Sequence, residues 1–522
     1  MQFLRLLLFL ALLPLSVVRL SAQNDPAAQP RTGGTRIEIV NADRWDFDAR
    51  IPGAQRLVGA VQFRHGGALM SCDSAYLYEN NTVQAFGRVR ILHADTLTIT
   101  GDRLDYDGNQ RTATITGNVR LDDPSMSMTT DALSYDLASR TARYSTGAVI
   151  TGKRDTNTLT SRAGSYFAGA HRFVFSKEVH LQQPDRTIDA DTLHYVTTTG
   201  MAEFHGPTRI AQGTGTLWTE RGTYDTRTGQ GRFTKAGRVV DQGQELQGDT
   251  LFYDGMTGKA IAYGNVAMLD TANDLEVRGG HGRHEVKSRA SFVTHRAELV
   301  LHMDSDALHL HADTLFATTD SAGARLVTAR RGVRFFRSDL QGVCDTMLYA
   351  GKDSIIHLRG RPVIWSGADQ ITGDTVRIEL RNGRAHRLVV RGNAFLIARA
   401  DSVHFDQVAG THMVGTFRNN ELSRLEVVGN CRTAYFAREE QPDSTQKIIG
   451  VNRADCSRLN VAIEGGEVKG ITFITKPDAV LHPLDKAPPE ALVLKGFVWH
   501  EALRPTDVED IFRPVPVAVA VP

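Results

Sequence analysis

Gly101-Asp102-Arg103-Leu104-Asp105-Tyr106, followed by the turn Asp107-Gly108-Asn109 and then by Gly117-Asn118-Val119, decides how this chain folds. Around Asp102 the apolar phase changes within one strand. Before it, Ile99 and Gly101 occupy offsets −3 and −1; after it, Leu104 and Tyr106 occupy +2 and +4. Side chains of a regular strand alternate faces with period two, so a switch from odd to even offsets requires a bulge or a sharp corner at the Asp. The strand bends there and keeps its apolar residues inside.

The same phrase recurs about every thirty residues. Its Asp falls at Asp43, Asp73, Asp102, Asp131, Asp191, Asp249, Asp313, Asp345, Asp374 and Asp401, with Arg162, Glu220 and Gly280 in the three intervening copies, thirteen in all. A second phrase, Gly-x-Val or a near variant, follows each Asp by about fifteen residues, as in Gly87-Arg88-Val89 and Gly264-Asn265-Val266. Turn residues lie between the two phrases, among them Asn80-Asn81 and Asp254-Gly255, and are read as the φ > 0 positions of tight hairpins. Each unit is strand, turn, returning strand, and helical periodicity is absent. Stacked bent strands make two facing sheets joined along a crease, with an apolar interior and an open mouth opposite. The corner Asp is expected to bond backbone N–H groups freed by the broken ladder. Ten equivalent carboxylates thirty residues apart are not one acid–base pair, so the role is structural.

The remainder of the chain bounds the function. With 522 residues, 41% hydrophobic, 23% charged and a net charge of +1, it is an ordinary globular composition, which argues against a nucleic-acid binder. Residues 1–22, with Arg5, the apolar run Leu6–Leu15 and Leu20-Ser21-Ala22, read as a secretory signal peptide. Residues 23–35 read as a flexible leader, 36–436 as the repeat array and 437–475 as degenerate capping strands. Residues 476–522 read as a Pro-rich extended tail, whose aromatics either dock on a partner or fold back on the array. No later stretch has the ~18 apolar residues of a spanning helix, so the expected location is the periplasm, associated with the outer membrane.

The Ala/Gly-Asp-x-Leu-x-Tyr phrase followed by Gly-Asn-Val, recurring in order over residues 36–436, resembles the OstA-like repeat. That family comprises periplasmic bridge proteins of lipopolysaccharide transport and the soluble N-terminal domain of the outer-membrane translocon. The resemblance implies an all-β, elongated open β-jellyroll, or β-taco. It implies a cavity for lipid A acyl chains, and end strands that pair with other transport proteins or another copy. The chain has more repeats than the short bridge proteins and lacks the translocon's long barrel. About twenty-six strands at ~4.8 Å each would span on the order of 120 Å. Candidate groove residues are Trp45, Phe47, Leu104, Tyr106, Leu193, Tyr195, Leu251, Tyr253 and Phe405, and the N-terminal edge near Arg36–Val40 is the candidate pairing strand.

No enzyme motif, cofactor or metal site is expected. His309 with His311 and His281 with His284 lack a ligand of metal-site spacing, and there is no nucleophile elbow or phosphate loop. Of the four cysteines, Cys72 and Cys344 lie nine repeats apart, which leaves Cys431 and Cys456 as the only plausible disulfide. Two other readings compete: a ligand-free structural or adhesive repeat protein, and a parallel β-helix enzyme, against which the hairpin turns in every repeat argue.

Overall fold

The structure, a computed structural model, describes residues 36–514 except 48–49, 95, 154–156, 272–274, 303–305, 320–323, 382–383, 419–420, 442–445, 465–466 and 476. The expected signal peptide and leader lie outside the described residues. Thirty-six strands form one continuous antiparallel sheet. Each rung, of one long strand or two short ones in line, pairs with the next rung in sequence, so the described residues form a meander. Eight of the 28 rungs are interrupted at the crease into two short strands, as in Thr141–Tyr144 and Ala148–Gly152.

The crease is where the sequence places it. In strand Leu97–Asp107, Leu97, Ile99, Leu104 and Tyr106 are all buried, with the phase change at Asp102. On the neighbouring strand Thr82–His93 the register skips from Phe86 to Val89, so Gly87 and Arg88 together oppose the single residue Asp102. Two residues against one is a bulge. Both bulge residues are left-handed: Gly87 and Arg88 at φ 74° and 42°, Gly117 and Asn118 at 78° and 46°, Gly264 and Asn265 at 69° and 43°.

The corner Asp meets a side chain rather than the freed backbone expected. Asp73 accepts from Arg88 at 2.7 Å, Asp102 from Asn118 at 2.7 Å, Asp249 from Asn265 at 2.9 Å and Asp374 from Asn393 at 3.0 Å. The residue after the bulge glycine points back across the ladder and reaches the carboxylate before a backbone N–H can. At two of the three replaced corners the pair is rebuilt, with polarity reversed in Arg162–Glu178 at 2.7 Å and retained in Glu220–Lys235 at 2.6 Å, whereas Gly280 offers no side chain. Asp401 is the exception among the ten. It lies in the turn between Arg384–Arg399 and Phe405–Arg418, where its Oδ1 accepts the N–H groups of Val403 and His404 at 2.7 and 2.6 Å. The true corner of that rung is at Gly410-Thr411, where the register skips from Ala409 to His412.

At the hairpin tips Asn81 is left-handed at φ 65° as expected, whereas Gly108, Asn109 and Gly255 are not the φ > 0 positions. Asp107 Oδ1 accepts from the N–H of Asn109 and Gln110, and the left-handed residue is Arg111. Asp136, Asp225 and Asp254 repeat this bond pattern, ending in left-handed Arg140, Gly229 and Gly258. Each such tip is an Asx-capped loop.

Rungs continue past residue 436 through Gln446–Glu464 and Glu467–Phe473, and the chain then turns back. Residues 484–513 run over the outer face of the second half of the array as a strap. Three buried glutamines hold it: Gln407 bonds Leu492 O and Leu494 N, Gln370 bonds Val498 O and His500 N, and Gln341 accepts from Arg504. Beneath the strap Trp365, Phe395, Ile397 and Phe436 are buried.

Two outcomes follow from this packing. A Cβ on Gly117 would lie 2.6 Å from Asp102 Oδ2 at φ +78°, so Gly117→Val should lower unfolding free energy by about 2–3 kcal/mol in urea titration. A chain ended at Pro483 should bind a hydrophobic dye and self-associate in light scattering, because it exposes the apolar face that the strap covers.

Candidate functional site

The interior between the two sheet halves is the largest chemically distinctive feature. One continuous apolar cluster runs from Ile37 to Val468 and, through most of the array, includes residues from both sides of the crease. Leu104, Tyr106, Leu193 and Leu251 are at its centre with at most 2% exposure, and Tyr195 and Tyr253 pack on it half-buried. Six of the nine groove candidates are therefore interior residues.

The other three are elsewhere. Trp45 and Phe47 are on the inward face, since Trp45 is opposite Leu57, but they belong to the first rung and, among the described residues, no strand lies beyond them. They are 58% and 85% exposed. Phe405 is outside the interior, on the outer face beneath the strap, with ring centroids 5.5 Å from Phe497 and 5.0 Å from Trp499. Its assignment depended on Asp401 being a corner, and the turn at Ala400–His404 puts Phe405 on the opposite face.

The mouth opposite the crease is closed, where an open one was expected. His65, at one lip, bonds Tyr106 at the other at 2.6 Å, and His93 bonds Tyr135 at 2.6 Å. Asp123 accepts from Tyr166, Arg186 donates to Tyr224, and Arg289 reaches Gln242 at 2.5 Å. These pairs join residues about forty apart, so each is a bond between sheets. Burial pushes the phenols of Tyr106 and Tyr135 up to about 12, which keeps them protonated at all physiological pH values. The sequence shows the tyrosines at +4, but not their partners, which precede the turns at the other lip and pair only once the crease has folded.

Behind the latches the space is filled. A cavity of about 50 Å³ lies against Met126, Ile150, Phe173, Phe175 and Tyr195, and one of about 20 Å³ against Leu246, Met268, Leu275 and Val293. Each holds at most a few waters, far less than an acyl chain needs. The two larger hollows, about 700 and 690 Å³, are on the outside and are lined by crease residues such as Asn118, Asp131, Arg162 and Glu178 in one and Glu220, Lys235 and Asp249 in the other.

Both ends of the array present edges. The strand Glu38–Asn41 and the strand Arg44–Phe47 pair only with Ala54–His65, and Asp478–Pro483 only with Gln446–Glu464, among the described residues. Exposed apolar side chains gather there: Val40, Trp45 and Phe47 at one end, Ile474, Val480 and Leu481 at the other. Cys431 and Cys456 are directly opposite on adjacent strands and both are free thiols, with burial pushing Cys431 up to about 12.

No helix among the described residues is long and apolar enough to cross a membrane. Residues 34–191 and 186–277 match the family model described as OstA-like protein. No curated protein matches the chain.

The latches carry a pH signature. Burial, aided by nearby Arg140, holds His93 below the ordinary histidine value, so the folded state favours the neutral ring. Its contribution to stability is complete above the unfolded value near 6.5 and is lost as pH falls through the folded value. The melting temperature should therefore drop on acidification from about pH 7 to 5, and His93→Gln should flatten that drop. Superimposable profiles would refute the latch.

Proposed function

We propose, from the match of residues 34–277 to the OstA-like protein model, that this chain is a non-enzymatic periplasmic scaffold of lipopolysaccharide transport that holds acyl chains between its two sheet halves. The observation that carries this reading is the unbroken apolar interior, one cluster from the first rung to the last, with exposed apolar edges at both ends.

The closed mouth is compatible with entry on energetic grounds. A hydrogen bond across the lip contributes about 1 kcal/mol net, and each methylene transferred from water about 0.8 kcal/mol. One or two methylenes therefore offset one latch, and an acyl chain can advance by opening a rung at a time. Core side chains displaced from each other would meet lipid instead of water, so parting the sheets costs little apolar burial. Val40, Trp45 and Phe47 at the N-terminal edge offer strand pairing and an apolar continuation to a partner protein or a second copy.

The filled interior favours a second reading, a ligand-free structural rod of the envelope. Photo-crosslinking separates the two. Probes at Leu104, Leu193 and Leu251 in the mature protein, in its own envelope, should capture lipopolysaccharide, and Tyr135→Phe should increase the yield. Silence at all three positions supports the rod. A proline at Val40 should abolish partner pairing at that end, read by co-purification, and unchanged pairing would exclude the edge.

A further inference from the structure

Three metal-ligating side chains converge on the outer face of the hairpin formed by Arg186–Val196 and Met201–Gln212. In its register His194 is opposite Glu203, and His205 is opposite Thr192, two residues along the same face. Their inward neighbours Leu193, Ala202 and Phe204 are buried, so these three project outward together. His205 Nε2 is 3.2 Å from Glu203 Oε1, His194 Nδ1 is 3.9 Å from Glu203 Oε2, and the two rings lie 4.5 Å apart. All three ligand atoms are within 4.8 Å of one another.

We propose that His194, Glu203 and His205 form a three-ligand site for a divalent transition-metal ion of the zinc class, with the fourth position open to solvent or to a partner. Metal bonds of about 2.0–2.1 Å in tetrahedral geometry place ligand atoms roughly 3.3 Å apart. The His205 Nε2–Glu203 Oε1 edge of 3.2 Å meets this already; His194 Nδ1 is 3.9 Å from the other oxygen, Oε2, so the carboxylate and the His194 ring must turn toward a shared ion. His205 Nε2 is enclosed and makes no well-directed hydrogen bond despite the nearby carboxylate, which leaves its lone pair unused. Two imidazoles with one carboxylate select zinc, copper or nickel over calcium and magnesium, which take oxygen ligands. A bound ion would staple two strands just below the crease and offer a coordination site on the array's flank.

The test is calorimetric titration of the chelator-treated mature protein with Zn²⁺. One saturable equivalent is expected, with Glu203→Gln weakening affinity about tenfold or more and the His194→Ala/His205→Ala double variant abolishing it. His281→Ala, also on an outer face, should bind as wild type. Glu203→Gln is nearly isosteric and retains the fold if the double variant does not; circular dichroism in chelator checks both. X-ray absorption of the zinc-loaded protein should show two imidazole nitrogens at about 2.0 Å. Absence of saturable zinc binding, binding unchanged by Glu203→Gln and the double substitution, or equal binding of Mg²⁺ would overturn the site.

Discussion

The bulge at the crease is the constraint on which everything else depends. Two left-handed residues oppose one corner residue, and this extra residue carries the apolar face across the bend without turning it outward. Glycine is favoured at the first position because a corner carboxylate packs against its Cα: a Cβ on Gly87 would meet Asp73 Oδ2 at 2.5 Å. The corner pair is polar and mostly solvent-exposed, so its net energy is small. Its value is directional. The Arg162–Glu178 reversal shows that the corner accepts a cross-strand pair of either polarity and does not require an Asp as such.

From that bend come an inside and an outside with different chemistry. The inside is continuous, packed and closed at the lip by single polar bonds between tyrosines and His, Asp or Arg. Where they occur, between His65 and Arg289, such bonds fix the spacing of the two lips while contributing about as much as one or two methylenes each. The crease, by contrast, is crossed by the covalent backbone in interrupted and uninterrupted rungs alike, which ties the two sheet halves together along that edge.

The outside is divided. Residues 34–277 match the OstA-like model; among the described residues the strap's contacts with the array begin at Arg296, and it covers the rungs that follow. There the outer face is apolar, with Trp365 and Phe436 buried, and buried Gln341, Gln370 and Gln407 act as amide clamps for the strap backbone. A sheet whose two faces are both apolar needs a second layer, and a C-terminal segment is the nearest one.

The strand period, the phase change and the identity of nine of ten corner aspartates were legible in the sequence, because they are local: a two-residue alternation and its interruption are read from neighbours along the chain. Asp401 misled for the same reason. Its flanking pattern mimics a corner, and only hydrogen bonding to Val403 and His404 shows a turn, which carried Phe405 to the wrong face. The latch partners of Tyr106 and Tyr135, the His194–Glu203–His205 cluster, the closure of the mouth and the path of the strap were decided by tertiary structure. Each joins residues that become neighbours only through register or across the crease, distances that no local periodicity encodes. The sequence by itself determined where each strand bends; how tightly the bent sheet closes, and what covers it, depended on side chains meeting across that bend.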